Sequence, residues 1–235
     1  MQTRRDILRS NYQAVCERIQ AAADAAHRSA DEITLVGVTK YVDVETTRDF
    51  VAAGCSDLGE SRPQVLWPKA EALAELPVRW HQIGHLQRNK LRKTQPLVSL
   101  IHSVDSIRLL QAIDTLQAEI APDEPQEILL EVNTSGDEAK HGFTPSNVNL
   151  GVDAVLECNN VRLRGLMCMA GLGTSPLEAR RDFAKLRELR DRLRESYPNV
   201  ELTDLSMGMS GDFEEAIAEG ATLIRVGSVL FEGVL

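Results

Sequence analysis

Eight short runs of β-branched and apolar residues recur along the chain, separated by longer stretches whose apolar residues fall on one helical face. The short runs lie at 33–41, 57–60, 79–84, 100–104, 127–133, 164–169, 202–207 and 222–226. The stretches between them lie at 44–53, 64–75, 86–95, 106–120, 145–157, 176–195 and 212–219. Parallel strands cannot be joined by a tight turn, so each successive pair needs a crossover, which is usually a helix. The alternation therefore predicts an α/β fold, a single TIM-type (β/α)8 barrel, with a doubly wound open sheet as the alternative. An extra N-terminal helix is expected from Leu8, Tyr12, Val15, Ile19, Ala22 and Ala26, which recur at helical spacing. Gly54 and Gly220 follow two of the helical stretches, where a left-handed residue commonly ends a helix.

At 235 residues the chain suits one such barrel, and one domain spanning 1–235 is expected. It stops nine residues after Val226, so no further domain is expected to contribute to a site at the barrel mouth. Only 4% of residues are aromatic against 43% hydrophobic, so the core must be aliphatic. A net charge of −9 gives no general field for nucleic acid or anionic lipid; an anionic ligand must be held by local donors. No apolar run approaches the roughly 20 residues that cross a bilayer. Cys16, Cys55, Cys158 and Cys168 are widely spaced and form no C-x-x-C pair, as expected of a reduced cytoplasmic protein. The basic start, M-Q-T-R-R-D-I-L-R-S, reads as the solvent face of the first helix because Asp6, Glu17 and Asp24 break any presequence character.

In such a barrel the active site lies at the C-terminal ends of the strands. Lys40 ends the run L-V-G-V-T-K and shares a strand face with Val36 and Val38. If that face is the lumen, desolvation favours the neutral amine, which can attack an aldehyde and form a Schiff base. The alternative is a strand-end lysine reaching solvent. In T-L-I-R-V-G-S, Ile224 and Val226 suit the helix layer, which turns Leu223 and Arg225 inward. A buried guanidinium needs an acceptor. That acceptor is either an inward acid, Glu131 or Asp204, or the ring nitrogen of a bound cofactor.

Loops after strands 7 and 8 of such barrels often hold phosphate beside a short extra helix. Ser206, Gly227 and Ser228 fall there, and Ser210 reads as a cap for the helix at 212–219. A lysine, an inward arginine and a two-loop phosphate site match the aldehyde, ring nitrogen and phosphate of pyridoxal 5'-phosphate. A Schiff-base aldolase acting on a phosphorylated sugar would use the same parts.

These blocks resemble the pyridoxal phosphate homeostasis protein family, also called the proline synthase co-transcribed proteins. The resemblance rests on L-V-G-V-T-K at 35–40, L-G-E-S at 58–61, W-H-Q-I-G-H-L-Q-R-N-K at 80–90, H-S-V-D at 102–105, V-N-T-S-G-D-E-A-K-H-G at 132–142, R-G-L-M-C-M at 164–169, L-S-M-G-M-S at 205–210 and I-R-V-G-S at 224–228. It implies a barrel similar to the N-terminal domain of alanine racemases, with Lys40 as the cofactor lysine, Arg225 facing the pyridine nitrogen, and Ser206, Gly227 and Ser228 around the phosphate. It also implies a cytoplasmic regulator of cofactor supply without established turnover, expected as a monomer whose partners are pyridoxal phosphate and apoenzymes that require it. A racemase-like enzyme using the same cofactor is the alternative. Two positions depart from the family pattern: Ser61 stands where asparagine is usual and His85 where proline is more frequent. His81 is expected to satisfy backbone, with lining the site as the alternative, and Arg88, Lys90, Arg92 and Lys93 to form a solvated helix face, one that could also receive a partner accepting the cofactor.

Overall fold

The computed structural model describes residues 2–137, 141–171, 173 and 175–234. Helix α1 spans Arg4–Ala25 and starts at a capping box in which Thr3 accepts from the Asp6 amide while the Asp6 carboxylate accepts from Thr3. The strands follow as β1 (Thr34–Val38), β2 (Asp57–Glu60), β3 (Arg79–Gln82), β4 (Leu100–Val104), β5 (Gln126–Glu131), β6 (Val161–Met167), β7 (Asp204–Ser206) and β8 (Leu223–Val226). Between them lie α2 (Val44–Ala52), α3 (Pro63–Ala72), α4 (Arg88–Thr94), α5 (Ile107–Ile120), α6 (Val148–Leu156), α7 (Pro176–Ser196) and α8 (Phe213–Ala218). Each strand pairs in parallel with the next, and β1 also pairs with β8, which closes the barrel.

Period-two alternation sorts the strand residues into two layers. Val36, Leu100, Leu129, Met167 and Leu223 form a small cluster in the lumen. Ile224 and Val226 instead join the large cluster between sheet and helices, which turns Leu223 and Arg225 inward as the sequence predicts. The closed sheet leaves little room where β6 meets β7. A Cβ at Gly165 would lie 1.8 Å from the Asp204 carbonyl oxygen, so only glycine fits there. Gly54 and Gly220 have φ of 121° and 93°, the left-handed conformation expected after α2 and α8.

The boundaries differ where local hydrogen bonds override the apolar pattern. Strand β1 ends at Val38 rather than continuing to 41, because the Val42 amide donates back to the Thr39 carbonyl and turns the chain. Lys40 therefore sits in a turn two residues past the strand. Helix α6 starts three residues later than the pattern suggests, since the Asn147 side chain accepts from the Thr144 amide and holds 144–147 as a turn. The basic face of α4 is partly engaged: Lys93 lies over the Trp67 ring and Arg92 bonds Glu119.

Candidate functional site

The turn after β1 and the loops after β2, β3, β5, β6, β7 and β8 surround a cavity of roughly 580 Å³ at the C-terminal mouth of the barrel. Lys40, Ser210, Arg225, Gly227 and Ser228 all line it. Four of the five residues singled out from the sequence are thus brought together, and Ser206 is not among them.

Lys40 is half-buried, with its ammonium 4.8 Å from the centroid of the Tyr41 ring. Its backbone is fixed from outside the barrel. The Lys69 ammonium donates to the Thr39 carbonyl at 2.6 Å, and Arg62 donates to the Lys40 carbonyl at 3.3 Å. Lys69 is itself buried against the fully buried Glu60, to which it donates at 2.5 Å, and the Thr39 hydroxyl donates to the same carboxylate oxygen at 2.7 Å. This buried ion pair is a feature that strand and helix patterns did not reveal. Lys69 sits on an amphipathic helix and reads in sequence as an ordinary surface lysine.

Arg225 is buried, and its hydrogen bonds go to neutral acceptors: the Ser206 hydroxyl at 2.6 Å and the Cys168 carbonyl at 2.9 Å. Of the two acids considered from sequence, Asp204 bonds Arg164 instead, while Glu131 contributes to the negative field at the guanidinium. Burial lowers the guanidinium pKa from its usual value, and Cys168, Glu131 and Asp212 oppose that shift. The Ser206 hydroxyl, expected at a phosphate, is fully buried and committed to Arg225 and to His102 Nδ1 at 2.8 Å. Its place inside strand β7 puts it a layer below the mouth, where it bonds the arginine.

From Ser206 a chain of buried groups crosses the lumen. His102 Nε2 lies 2.9 Å from His81 Nδ1, and His81 Nε2 lies 3.0 Å from Asp57 Oδ1 at the opposite end of the barrel. A carboxylate only accepts, so one direction satisfies every link. Arg225 donates to Ser206, Ser206 to His102, His102 to His81, and His81 to Asp57. Burial alone would raise the Asp57 carboxyl pKa, but hydrogen bonds from His81 and Arg79 outweigh it and hold the group below its ordinary value. His81 therefore belongs to this chain and does not serve backbone groups.

His102 is held well below the usual histidine range by burial, then by the neighbouring His81 and Arg225. It is a base with a depressed folded pKa. Between that value and about 6.5 the unfolded chain takes up a proton that the folded chain refuses, so the contribution of His102 to stability falls as pH drops below about 6.5. The slope from this residue is about 1.4 kcal/mol per pH unit. Urea denaturation at several pH values should show it, and His102→Asn should lose that share. Equal slopes in both proteins would contradict a buried neutral imidazole.

At the other side of the cavity, the Gly227 amide donates to the Ser210 hydroxyl oxygen at 3.1 Å. Ser210 does not cap α8: the residue at that position is Asp212, whose carboxylate accepts from the Met209 amide at 2.5 Å. Ser210 is the site residue that the capping pattern concealed, because S-G-D places two good cap residues within one turn. Ser228 opens a 3-10 turn, Ser228–Phe231, too short for a substantial helix dipole. What Ser228 presents to the cavity is thus local amide and hydroxyl groups.

The profile of the alanine racemase N-terminal domain family matches residues 8–233. A protein of Aquifex aeolicus named pyridoxal phosphate homeostasis protein is 43% identical over 217 residues, covering 92% of this chain and 94% of that one. One of the same name from Pseudomonas aeruginosa is 38% identical over 221 residues, covering 94% of this chain and 93% of its own length. Among solved structures, PipY of Synechococcus elongatus with PLP bound superposes with a TM-score of 0.82 at 35% identity, covering 92% of this chain and 99% of that one. Alanine racemase of Clostridium difficile gives a TM-score of 0.73 at 15% identity over 96% of this chain and 56% of its own, a likeness of fold alone.

Proposed function

We propose that this chain, which belongs to the alanine racemase N-terminal domain family and to the pyridoxal phosphate homeostasis proteins, binds pyridoxal 5'-phosphate through Lys40 and serves its supply without substrate turnover. The supporting observation is the convergence of the Lys40 amine, the buried Arg225 guanidinium and the hydroxyls of Ser210 and Ser228 on a single cavity. Its volume lies within the range for small-cofactor sites. When bound, the cofactor supplies an aldehyde carbon and a ring that can take up electrons.

Lys40 offers the nucleophile for the aldehyde. Arg225 uses two nitrogens inside the barrel and keeps further N–H groups for the ring nitrogen. Ser210 and Ser228, with the backbone at Gly227, hold the phosphate, while Ser206 positions Arg225. Removing the Ser228 hydroxyl should cost roughly 1.5–3 kcal/mol, about ten- to a hundred-fold in affinity. Titration of wild type and Ser228→Ala with pyridoxal phosphate and with pyridoxal checks this; equal affinity of wild type for the two would remove the phosphate site.

The absence of turnover in this reading is supported by the same arginine. Electron uptake by the ring works best with a protonated ring nitrogen beside a carboxylate, and a guanidinium that stays charged offers only its N–H. Loaded protein incubated with single-enantiomer amino acids in deuterated water should leave chirality and the α-proton intact. Efficient exchange, lost in Lys40→Ala, would make the chain an enzyme. We infer that the recipients are apoenzymes requiring the cofactor and that the barrel acts as a cytoplasmic monomer. Tyr41 and Met209, exposed at the cavity mouth, suit contact with such a protein. Among the described residues no helix is long and apolar enough to cross a membrane.

A further inference from the structure

We propose that His85, Asp105 and His141 form a binding site for a divalent transition-metal ion of the zinc class, at the rim of the cavity and with open coordination positions facing it. The three residues come from the loops that follow β3, β4 and β5, so successive strand ends deliver them to one side of the mouth. Their ligand atoms all lie within 4.8 Å of one another. His85 Nδ1 is 2.8 Å and His141 Nδ1 3.9 Å from Asp105 Oδ2. Four-coordinate zinc with nitrogen and oxygen ligands at about 2.0–2.2 Å spaces those ligands about 3.3 Å apart, and the two observed distances bracket that value.

The chemistry of the set narrows the ion. Two imidazoles and one carboxylate favour zinc and its neighbours over calcium or magnesium, which take oxygen donors. Among the described residues, the ion pairs of Asp105 are with these two histidines and with no lysine or arginine. The Asp105 carboxylate is mostly buried, with its side chain 9% exposed, whereas the histidine side chains are 44% and 63% exposed. A buried carboxylate flanked by two reachable imidazoles gains a full counter-charge from a cation. The histidine rings are stacked at 4.3 Å with 16° between their planes, so one ion cannot lie in both planes as they stand. A shared ion requires a ring to tilt, and His141 is the more exposed of the two. His85 and His141 also line the cavity, so the remaining positions on the ion go to water or to an anionic oxygen entering there.

The test is titration of the purified full-length chain, freed of metal by a chelator, with zinc chloride against a chromophoric competitor. One ion per chain is expected, with binding at least about ten-fold weaker in His85→Ala and again in His141→Ala, since loss of an outer-shell partner alone costs that much. Folding of each variant is checked by circular dichroism. A cobalt(II) spectrum of wild type gives a readout that needs no substitution: nitrogen and oxygen coordination supports the site. A sulfur charge-transfer band, assigning the ion to a cysteine such as Cys16, overturns it. So does binding that either substitution leaves unchanged, or no stoichiometric binding at all. None of these outcomes bears on trapping of the cofactor at Lys40.

Discussion

Replacing Lys69 with methionine is expected to destabilise the protein by about 3–5 kcal/mol, the usual cost of breaking a buried ion pair from one side. Glu60 is fully buried, and its Oε2 already has no hydrogen-bond partner. Its Oε1 depends on the Lys69 ammonium at 2.5 Å and the Thr39 hydroxyl at 2.7 Å. Without Lys69 a carboxylate remains in a site closed to water, and the Thr39 carbonyl loses a charge-assisted donor. The double variant Glu60→Leu with Lys69→Met removes both charges and should recover much of the loss, because an apolar pair of similar volume is often neutral. Urea denaturation of the three proteins measures this. A single variant within 1 kcal/mol of wild type, on the order of a surface pair, would show that the pair is not isolated from solvent.

Lys40→Ala is expected to abolish covalent retention of pyridoxal phosphate while leaving the fold intact. The side chain is half-buried in a turn, and its described contact is with the exposed Tyr41 ring, so its removal opens no cavity in the core. The turn is fixed by groups that the substitution leaves in place: the Thr39 carbonyl with Lys69 and Val42, and the Lys40 carbonyl with Arg62. Non-covalent affinity through Arg225, Ser210 and Ser228 should survive in part, and the visible absorbance of the lysine adduct should vanish. An unfolded variant, detected by circular dichroism, would show that the turn itself needs the lysine.

The barrel was legible because its signal is repeated. Each short strand is weak evidence, but the alternation leaves few topologies, and the structure closes β8 onto β1 as expected. Inward placement of Arg225 followed from the alternation with Ile224 and Val226. What the pattern missed are contacts that depend on depth along the barrel axis. Ser206 and Ser228 both lie where loops 7 and 8 begin, yet one lies beneath the arginine and the other at the mouth. Period two gives the face of a residue and not its layer. The chain from Asp57 to Ser206 joins four strands far apart in sequence, and histidines on apolar strands read singly as ordinary core residues.

The central claim, cofactor held through Lys40, is tested most directly by reducing the loaded wild-type protein with borohydride and mapping the modified peptide by mass spectrometry. One pyridoxyl-phosphate adduct per chain, on Lys40, is the predicted result. An adduct on Lys69, on Lys90 or spread over several surface lysines, or no adduct from saturated protein, would contradict it.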